Sequence, residues 1–118
     1  MFQLEFYETA DAKKPVSDFL DSLDDKMVAK LLGLMEILEE KGTELRLPYS
    51  EHLEDGIFEL RCKLGSNITR VLYFFYSGKK IIVTNGFVKK TQKTPPSEIN
   101  LAKKRRADWI KRYKNANT

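Results

Sequence analysis

The first third of the chain passes from strand-like to helix-like spacing of its apolar residues. Residues 2–8 alternate apolar and polar side chains, which predicts a strand with one buried face. Pro15 suits a first helical turn, and apolar residues then recur at helical spacing. A second apolar stripe, 27–38, follows the helix-capping residue Asp24 and precedes Gly42, a residue type that commonly ends helices. The pattern therefore predicts one strand followed by two helices.

The second half of the chain predicts three strands and a closing helix. The strand segments are 57–64, 70–76 and 80–88, and the turn signals between them are Gly65-Ser66-Asn67 and Ser77-Gly78. The last two strands are apolar on both faces, as central strands of a covered sheet are. The pair Pro95-Pro96 opens a helix that is expected to run to Tyr113. Together the elements predict an α+β fold with the order β-α-α-β-β-β-α.

Length and composition limit the class of protein. A chain of 118 residues suits one ordinary domain, so residues 1–118 are predicted to form a single domain. No segment has the apolar length of a membrane span, and the start is acidic where a signal peptide would be basic and then apolar, so a cytoplasmic location is expected. The only cysteine, Cys62, and the only histidine, His52, form neither an intramolecular disulfide nor a metal-ligand pattern, so no metal or other cofactor is expected.

Charge is divided unequally between the two halves of the chain. Residues 1–60 carry 6 Lys or Arg and 15 Asp or Glu, and residues 61–118 carry 15 and 2, so the formal charges of −9 and +13 give the net charge of +4. A cationic half of this kind suits a polyanionic partner. A surface on which folding interleaves the two signs would have the same composition, so charge alone leaves both interpretations open.

The alternation of side chains along strands predicts where the basic residues of the second half meet. Arg61 and Lys63 share one face of their strand, and short turns of two residues bring Arg70 and then Phe87 to the same face. The two-residue turns expected between the strands are Ser66-Asn67 and Gly78-Lys79. The predicted result is a cationic shelf at one end of the sheet. We use that name for Arg61, Lys63, Arg70, Phe87, Lys89, Lys90 and Lys93.

The cationic shelf has the chemistry of a site for a phosphodiester. Guanidinium groups bind phosphate oxygens through paired hydrogen bonds, and an aromatic ring offers a stacking surface for a base. In RNA the 2′-hydroxyl is an internal nucleophile, so an enzyme needs to orient it, stabilise the developing charge and assist proton transfer. Arg61 and Arg70 suit charge stabilisation because they remain protonated, and Glu59 is placed to neutralise part of the shelf. Neighbouring cations lower the pKa of a lysine, so a lysine of the shelf can transfer protons near neutral pH. The lysines proposed for this role are Lys89, Lys90 and Lys93.

Other candidate residues have structural interpretations beside the functional ones. His52 is placed in an acidic loop, where a surface position is favoured over a catalytic role, and Cys62 is interpreted as a small buried apolar residue. Tyr73 is expected on the opposite face of the sheet from the shelf, and Trp109 and Tyr113 are expected to pack the last helix on the sheet. The basic run of that helix is either a solvated face or a track for RNA or ribosomal phosphates. Its candidate RNA-binding residues are Lys103, Lys104 and Arg105.

Four short motifs follow one another between residues 55 and 102. They are Asp55-Gly56 with Glu59-Leu60-Arg61, Arg70-Val71-Leu72-Tyr73, Gly86-Phe87 with Lys89-Lys90-Lys93-Thr94-Pro95, and Glu98-Ile99 with Ala102. In this order and combination the chain resembles the phage-derived, HigB-like branch of the RelE/ParE toxin superfamily of bacterial type II toxin–antitoxin systems. The resemblance covers roughly residues 1–105.

The resemblance implies a RelE-like α+β fold in which a small, mainly antiparallel sheet is flanked by helices. It implies a toxin that acts as a metal-independent mRNA endoribonuclease, or mRNA interferase, whose substrate is mRNA on the ribosome. Cleavage by such a toxin inhibits translation, and a cognate antitoxin holds the toxin inactive. That antitoxin is often a helix-turn-helix protein of the HigA type.

The resemblance also implies roles for individual residues. Arg61 and Lys63 match the basic pair of one strand, and Arg70 matches a phosphate-binding arginine that opens the next strand. The basic residue after the last strand is matched by Lys89 or Lys90. Some relatives place a tyrosine further on, where this sequence has a proline pair, so the general acid or base is unassigned and Lys93 is the expected substitute.

Two other functions fit parts of the same pattern. A ParE-like inhibitor would bind DNA gyrase without catalysing a reaction, although such relatives generally lack the dense basic rim of this sequence. A degenerate toxin retained as a binding module would keep its antitoxin surface without cleaving RNA. A DNA-damage response with intact translation would identify the first, and intact transcripts with normal antitoxin binding would identify the second.

Overall fold

The computed structural model describes residues 1–88 and 93–117 of the chain. Its strands and helices are β1 (Gln3–Phe6), α1 (Pro15–Asp21), α2 (Asp25–Lys41), β2 (Ser50–Glu54), β3 (Ile57–Leu64), β4 (Asn67–Tyr76), β5 (Lys80–Val88) and α3 (Pro96–Ala116). A short 3-10 helix, Gly42–Glu44, follows α2. The predicted α+β class is confirmed, and the described chain has one strand more than the predicted order.

The additional strand, β2, is the segment in which the sequence predicted an acidic loop. It pairs antiparallel with β3, with Ser50 opposite Leu60 and His52 opposite Phe58. The prediction that His52 lies in a loop is therefore wrong. Four of the five residues of β2 are polar, with Leu53 as the exception, so apolar alternation gave no signal, and the strand forms because its backbone pairs with the edge of β3.

The five strands form one mixed sheet with the order β1-β5-β4-β3-β2. The strands β2 to β5 pair with their sequence neighbours in antiparallel fashion, whereas β1 lies parallel to β5 at the far edge. The helices α1 and α2 connect β1 to β2 at the opposite edge of the sheet, and β3 and β4 lead back to β5, which lies beside β1. The sheet is thus mainly antiparallel, as expected, with one parallel pair.

Helices cover both faces of the sheet and create two apolar cores. One core lies between the sheet and the helices α1 and α2, and it contains Val16, Leu31 and Leu38 from the helices. The other lies under α3, where Trp109 packs against Phe74 with the ring centroids 5.9 Å apart. The predicted packing role of Trp109 is confirmed. In the part of the chain that the structure describes, no helix combines the length and apolar character of a membrane span.

The ends of the helices follow the predicted capping signals. The backbone N–H of Met27 donates a hydrogen bond of 2.8 Å to the Asp24 carboxylate at the start of α2. Gly42 ends that helix with φ 53°, a conformation that glycine adopts without the strain of a side chain. The helix α3 begins at Pro96 and continues to Ala116, beyond the predicted end.

The turns between the central strands differ from the predicted ones. The turn between β3 and β4 is Gly65-Ser66, so Arg61 lies opposite Arg70, whereas the sequence predicted Lys63 opposite Arg70. The turn between β4 and β5 has three residues, 77–79, where two were predicted. A bulge in β5 follows, since Leu72 pairs with Asn85 and Tyr73 with Val83. The bulge offsets the odd turn, and the predicted pairing of Arg70 with Phe87 is confirmed.

Candidate functional site

The cationic shelf forms on the face of the sheet that α3 covers in part. Arg61 and Arg70 lie directly opposite each other in the antiparallel pair β3 and β4, so their side chains lie on the same face. Lys63 follows on that face and is exposed, and Phe87 is half-buried against the core beneath α3. The prediction that strand alternation brings Arg61, Lys63, Arg70 and Phe87 together is confirmed.

A buried carboxylate, that of Glu59, lies between the two arginines of the shelf. One of its oxygens, Oε1, accepts a hydrogen bond of 2.6 Å from Arg61 Nε. The other, Oε2, lies 3.5 Å from Arg70 Nη1. Glu59 is 0% exposed and Arg70 is 1% exposed, so the pair lies beneath the surface of the shelf. The predicted neutralising role of Glu59 is confirmed. Its negative charge offsets the repulsion between the two neighbouring guanidinium groups.

The two arginines differ in their access to a ligand. Arg70 is enclosed, with its Nη1 also donating a hydrogen bond of 3.3 Å to Thr94 Oγ1. The side chain of Arg61 is 23% exposed, and its Nη2 lies 3.3 Å from the carboxylate of Glu51 on β2. Arg61 is therefore the guanidinium that reaches the surface, while Arg70 lies behind it.

Thr94 attaches the segment after β5 to the shelf. Its hydroxyl donates a hydrogen bond to Glu59 Oε2, and the residue is 5% exposed. Sequence reasoning treated Thr94 only as part of a motif and missed this contact. The signal in the sequence was the threonine between a lysine and a proline pair, but nothing in strand alternation connects it with Glu59. The contact holds the neighbouring residue, the exposed Lys93, at the end of the shelf.

Two of the predicted catalytic lysines, Lys89 and Lys90, lie outside the described residues. Lys93 is described and exposed, and it directly precedes the residue that contacts Glu59. The expected group of basic residues is therefore observed for Arg61, Lys63, Arg70 and Lys93, together with the ring of Phe87.

The predicted RNA-binding residues of α3 lie in three different environments. Lys103 Nζ lies 2.5 Å from the Glu54 carboxylate, and Arg105 Nη1 donates a hydrogen bond of 2.8 Å to the carbonyl oxygen of Thr84. Burial lowers the pKa of Arg105, which lies between the helix and the sheet. Lys104 is exposed. Of these three residues, Lys104 offers a solvated cation, while Lys103 and Arg105 contact other parts of the same chain.

Hydrogen bonds connect the start of α3 to β5 next to the shelf. The amide nitrogen of Asn85 donates hydrogen bonds to the Glu98 carboxylate at 2.9 Å and to the Glu98 carbonyl at 3.2 Å. The hydroxyl of Thr84 donates a hydrogen bond of 2.6 Å to the side-chain oxygen of Asn85. This partly buried network fixes the direction in which the chain enters the helix.

Three further candidates have structural roles in the described chain. Tyr73 lies on the opposite face of the sheet, as predicted, and burial raises its pKa to about 12 although a hydrogen bond with Ser50 opposes the shift. Burial also raises the pKa of the Cys62 thiol, whose side chain is in the apolar core, as expected. His52 Nε2 accepts a hydrogen bond of 3.1 Å from the backbone N–H of Gly56, which stabilises the turn between β2 and β3.

The described site can bind an anion through fixed cations. Arg61, Lys63 and Lys93 present positive groups at the surface, and the carboxylate of Glu59 holds the Arg61 guanidinium from below. A guanidinium held in this way is preorganised for phosphate oxygens. Among residues 1–88 and 93–117, no group of three or more His, Cys, Asp or Glu side chains is arranged to hold a metal ion.

The sequence matches a described protein family over most of its length. The family is described as phage derived protein Gp49-like (DUF891), and it matches residues 18–107. The chain therefore belongs to the Gp49-like family of phage-derived proteins, which is part of the RelE/ParE-like toxin superfamily. No curated protein sequence matches the chain. The matched range includes the strands β2 to β5 and every residue of the cationic shelf.

Proposed function

We propose that the protein is the toxin of a type II toxin–antitoxin system and cleaves mRNA on the ribosome without a metal ion. Membership of the Gp49-like family is compatible with a toxin. The observation that carries the proposal of RNA cleavage is the pair Arg61 and Arg70, held side by side by the buried Glu59 at the end of the sheet. Within the superfamily we place the protein in the HigB-like branch, on the four motifs that begin with Asp55-Gly56.

The arrangement supports different roles for the members of the shelf. Arg61, the guanidinium that reaches the surface, binds the scissile phosphate and stabilises the charge that develops when the 2′-hydroxyl attacks. Arg70 lies behind it and adds positive potential, while its contact with Glu59 keeps Arg61 in position. Lys63 contacts a neighbouring phosphate, and Phe87 provides apolar surface against a base.

Proton transfer requires a group that can lose and gain a proton, which an arginine does not do. We assign that role to a lysine of the segment after β5. The candidates are Lys89, Lys90 and Lys93, of which Lys93 is held beside the shelf by its neighbour Thr94. Burial keeps the Tyr73 phenol, on the other face of the sheet, away from the proposed substrate.

The proposal includes the partners and the place of action. The substrate is mRNA in the cytoplasm, bound to the ribosome, and the exposed Lys104 of α3 contacts ribosomal phosphates. A cognate antitoxin, expected to be a helix-turn-helix protein of the HigA type, neutralises the toxin.

A purified translation system tests the proposal. The protein is added to ribosomes translating one defined mRNA, and primer extension maps the ends of the RNA that result. We expect new 5′ ends within translated codons and an intact transcript when ribosomes are omitted. A supercoiling assay with DNA gyrase runs in parallel, since inhibition of gyrase with intact mRNA would establish the ParE-like alternative. Intact mRNA with unaffected gyrase would leave the binding-only alternative and contradict the nuclease proposal.

A further inference from the structure

The strand β2 places a second carboxylate, that of Glu51, against the Arg61 guanidinium. In the pairing of β2 with β3, Glu51 lies directly opposite Glu59, so both side chains lie on the face of the sheet that carries the cationic shelf. Glu51 Oε2 lies 3.3 Å from Arg61 Nη2, and the side chains of Arg61 and Glu51 are 23% and 40% exposed. The guanidinium that reaches the surface is thus covered in part by a solvent-accessible anion.

This second ion pair adds little to the position of Arg61. The buried carboxylate of Glu59 already accepts a hydrogen bond of 2.6 Å from Arg61 Nε. An ion pair between partly exposed side chains contributes little to stability, because water screens both charges. Glu59 therefore positions the guanidinium from below, and Glu51 has a different effect on the shelf.

The geometry of a guanidinium decides what that effect is. Arginine binds a phosphate most strongly through two neighbouring N–H groups, which are either Nε with Nη2 or Nη1 with Nη2. Because Glu59 accepts the hydrogen bond from Nε, a phosphate on Arg61 uses the end of the side chain that includes Nη2. Glu51 contacts that same atom, so its negative charge faces the incoming phosphate at short range and opposes its binding.

The neighbouring carboxylates of this edge contact cations of α3 instead. Glu54 Oε2 lies 2.5 Å from Lys103 Nζ, and Asp55 Oδ2 lies 2.8 Å from Arg106 Nη2. Neither of these cations belongs to the cationic shelf. In the parts of the chain that the structure describes, Glu51 is the one solvent-accessible carboxylate that forms an ion pair with a shelf residue.

We propose that Glu51 determines the specificity of the shelf by competing with phosphate for the Arg61 guanidinium. A short free RNA, held by few contacts, binds weakly because its phosphate has to displace Glu51. An RNA that other contacts already hold at the shelf has a high effective concentration there and displaces Glu51 readily. The inference rests on the proposed function, since it assumes that the shelf binds RNA, and it names the residue that keeps the affinity for free RNA low.

A fluorescein-labelled 2′-O-methyl RNA of about 12 nucleotides, a length typical of single-strand binding sites, provides the probe. The methyl groups block attack by the 2′-oxygen, so fluorescence anisotropy measures the affinity without cleavage. We expect Glu51→Gln to bind this RNA about fivefold more tightly than the wild type, the ratio that corresponds to about 1 kcal/mol. A carboxylate that only positioned Arg61 would give the opposite sign, because its loss would weaken binding.

Two controls separate this contact from a general change in net charge. Glu36 is exposed on α2, which covers the other face of the sheet, so Glu36→Gln removes the same charge away from the shelf. It should leave the Kd within about twofold of the wild-type value. Glu51→Gln is also made in an Arg61→Gln background, where we expect its effect to fall below about twofold because the group for which Glu51 competes is absent. Circular dichroism confirms that each variant is folded.

Four results would overturn the proposal. They are weaker or unchanged RNA binding by Glu51→Gln, equally tightened binding by Glu36→Gln, an undiminished effect of Glu51→Gln in the Arg61→Gln background, and no RNA binding by either wild type or Glu51→Gln. Cleavage of translated mRNA is measured separately on the wild type and on Glu51→Gln. Tighter RNA binding with intact mRNA would support the competition and contradict the nuclease proposal, whereas cleavage with unchanged RNA binding would do the reverse.

Discussion

At the scale of single residues, Glu59 determines how two arginines share one face of the sheet. It is fully buried, as is Arg70, and it contacts both guanidinium groups and the Thr94 hydroxyl. A buried charge that loses its partner is strongly destabilising, because the remaining charge is left without solvent or counter-charge. Glu59 is therefore needed for the stability of the shelf as well as for its geometry.

Replacing Glu59 with Gln tests this role. The amide keeps the shape of the side chain and removes its charge, so we expect the free energy of unfolding to fall by about 3–5 kcal/mol. Urea denaturation measures the change. The matched control is Glu51→Gln, whose side chain is 40% exposed beside the same Arg61 and which should cost less than about 1 kcal/mol. Equal losses of stability in Glu59→Gln and Glu51→Gln would contradict the greater structural importance assigned to the buried carboxylate.

The buried phenol of Tyr73 makes the free energy of unfolding depend on pH at high pH. Its pKa is raised from 10.0 to about 12, mainly by burial. Because the folded state binds this proton more tightly than the unfolded state, the stabilisation is fully present below pH 10 and is lost as the pH rises from 10.0 to about 12.

The measurement is the free energy of unfolding across that pH range for wild type and Tyr73→Phe. We expect the decline assigned to Tyr73 to be absent from the variant, since phenylalanine has no proton to lose. Tyr49→Phe is the control because Tyr49 is 52% exposed, and it should retain the wild-type decline. An unchanged decline in Tyr73→Phe would assign the titration to another group.

At the scale of elements, the approach of α1 to the sheet depends on a glycine in β5. A Cβ atom at Gly86 would lie 2.6 Å from Phe19 Cδ2 and 3.1 Å from Val71 Cγ1. Atoms do not approach this closely without displacement of the ring, so α1 packs at its observed distance only because residue 86 lacks a side chain.

A pair of alanine substitutions tests that statement with opposite expected signs. Gly86→Ala should lower the free energy of unfolding by about 1–3 kcal/mol, because the methyl group meets Phe19 and Val71. Gly33→Ala should raise it by about 0.5–1 kcal/mol, because helix propensity improves and a Cβ atom there meets nothing within 4 Å. Thermal or urea unfolding distinguishes the two. A stabilised Gly86→Ala would show that α1 adjusts freely.

Element positions were predictable where apolar spacing is strong, as in α2 and the central strands. The strand β2 was missed because four of its five residues are polar and its pairing with β3 is made by backbone hydrogen bonds. The pairing of Arg70 with Phe87 was predicted correctly, although the predicted turn between β4 and β5 is one residue too short. The bulge opposite Leu72 and Tyr73 compensates for the extra residue of the turn, so Phe87 lies on the same face as Arg70. Strand alternation therefore located much of the shelf. Long-range contacts such as Thr94 with Glu59 require the folded chain.

At the scale of the whole molecule, the acidic first half and the basic second half are partly interleaved. Carboxylates from residues 1–60 pair with cations from residues 61–118 at several places. Those ion pairs are Glu51–Arg61, Glu59–Arg61, Glu59–Arg70, Glu54–Lys103, Asp55–Arg106 and Glu5–Lys80. Both interpretations of the charge division thus have support, since folding pairs many charges while Lys63, Lys93 and Lys104 remain exposed.

The central claim is that the shelf positions RNA for cleavage on the ribosome. Its most direct test compares the double variant Arg61→Gln/Lys63→Gln with the matched double variant Lys111→Gln/Lys114→Gln, which removes two exposed charges from the end of α3. The rate of mRNA cleavage is measured with translating ribosomes, and circular dichroism confirms that both variants are folded. We expect the shelf variant to be slower by about 100-fold or more, as loss of transition-state charge stabilisation predicts, and the helix variant to change by less than about fivefold. Equal cleavage rates in the two variants would contradict the account.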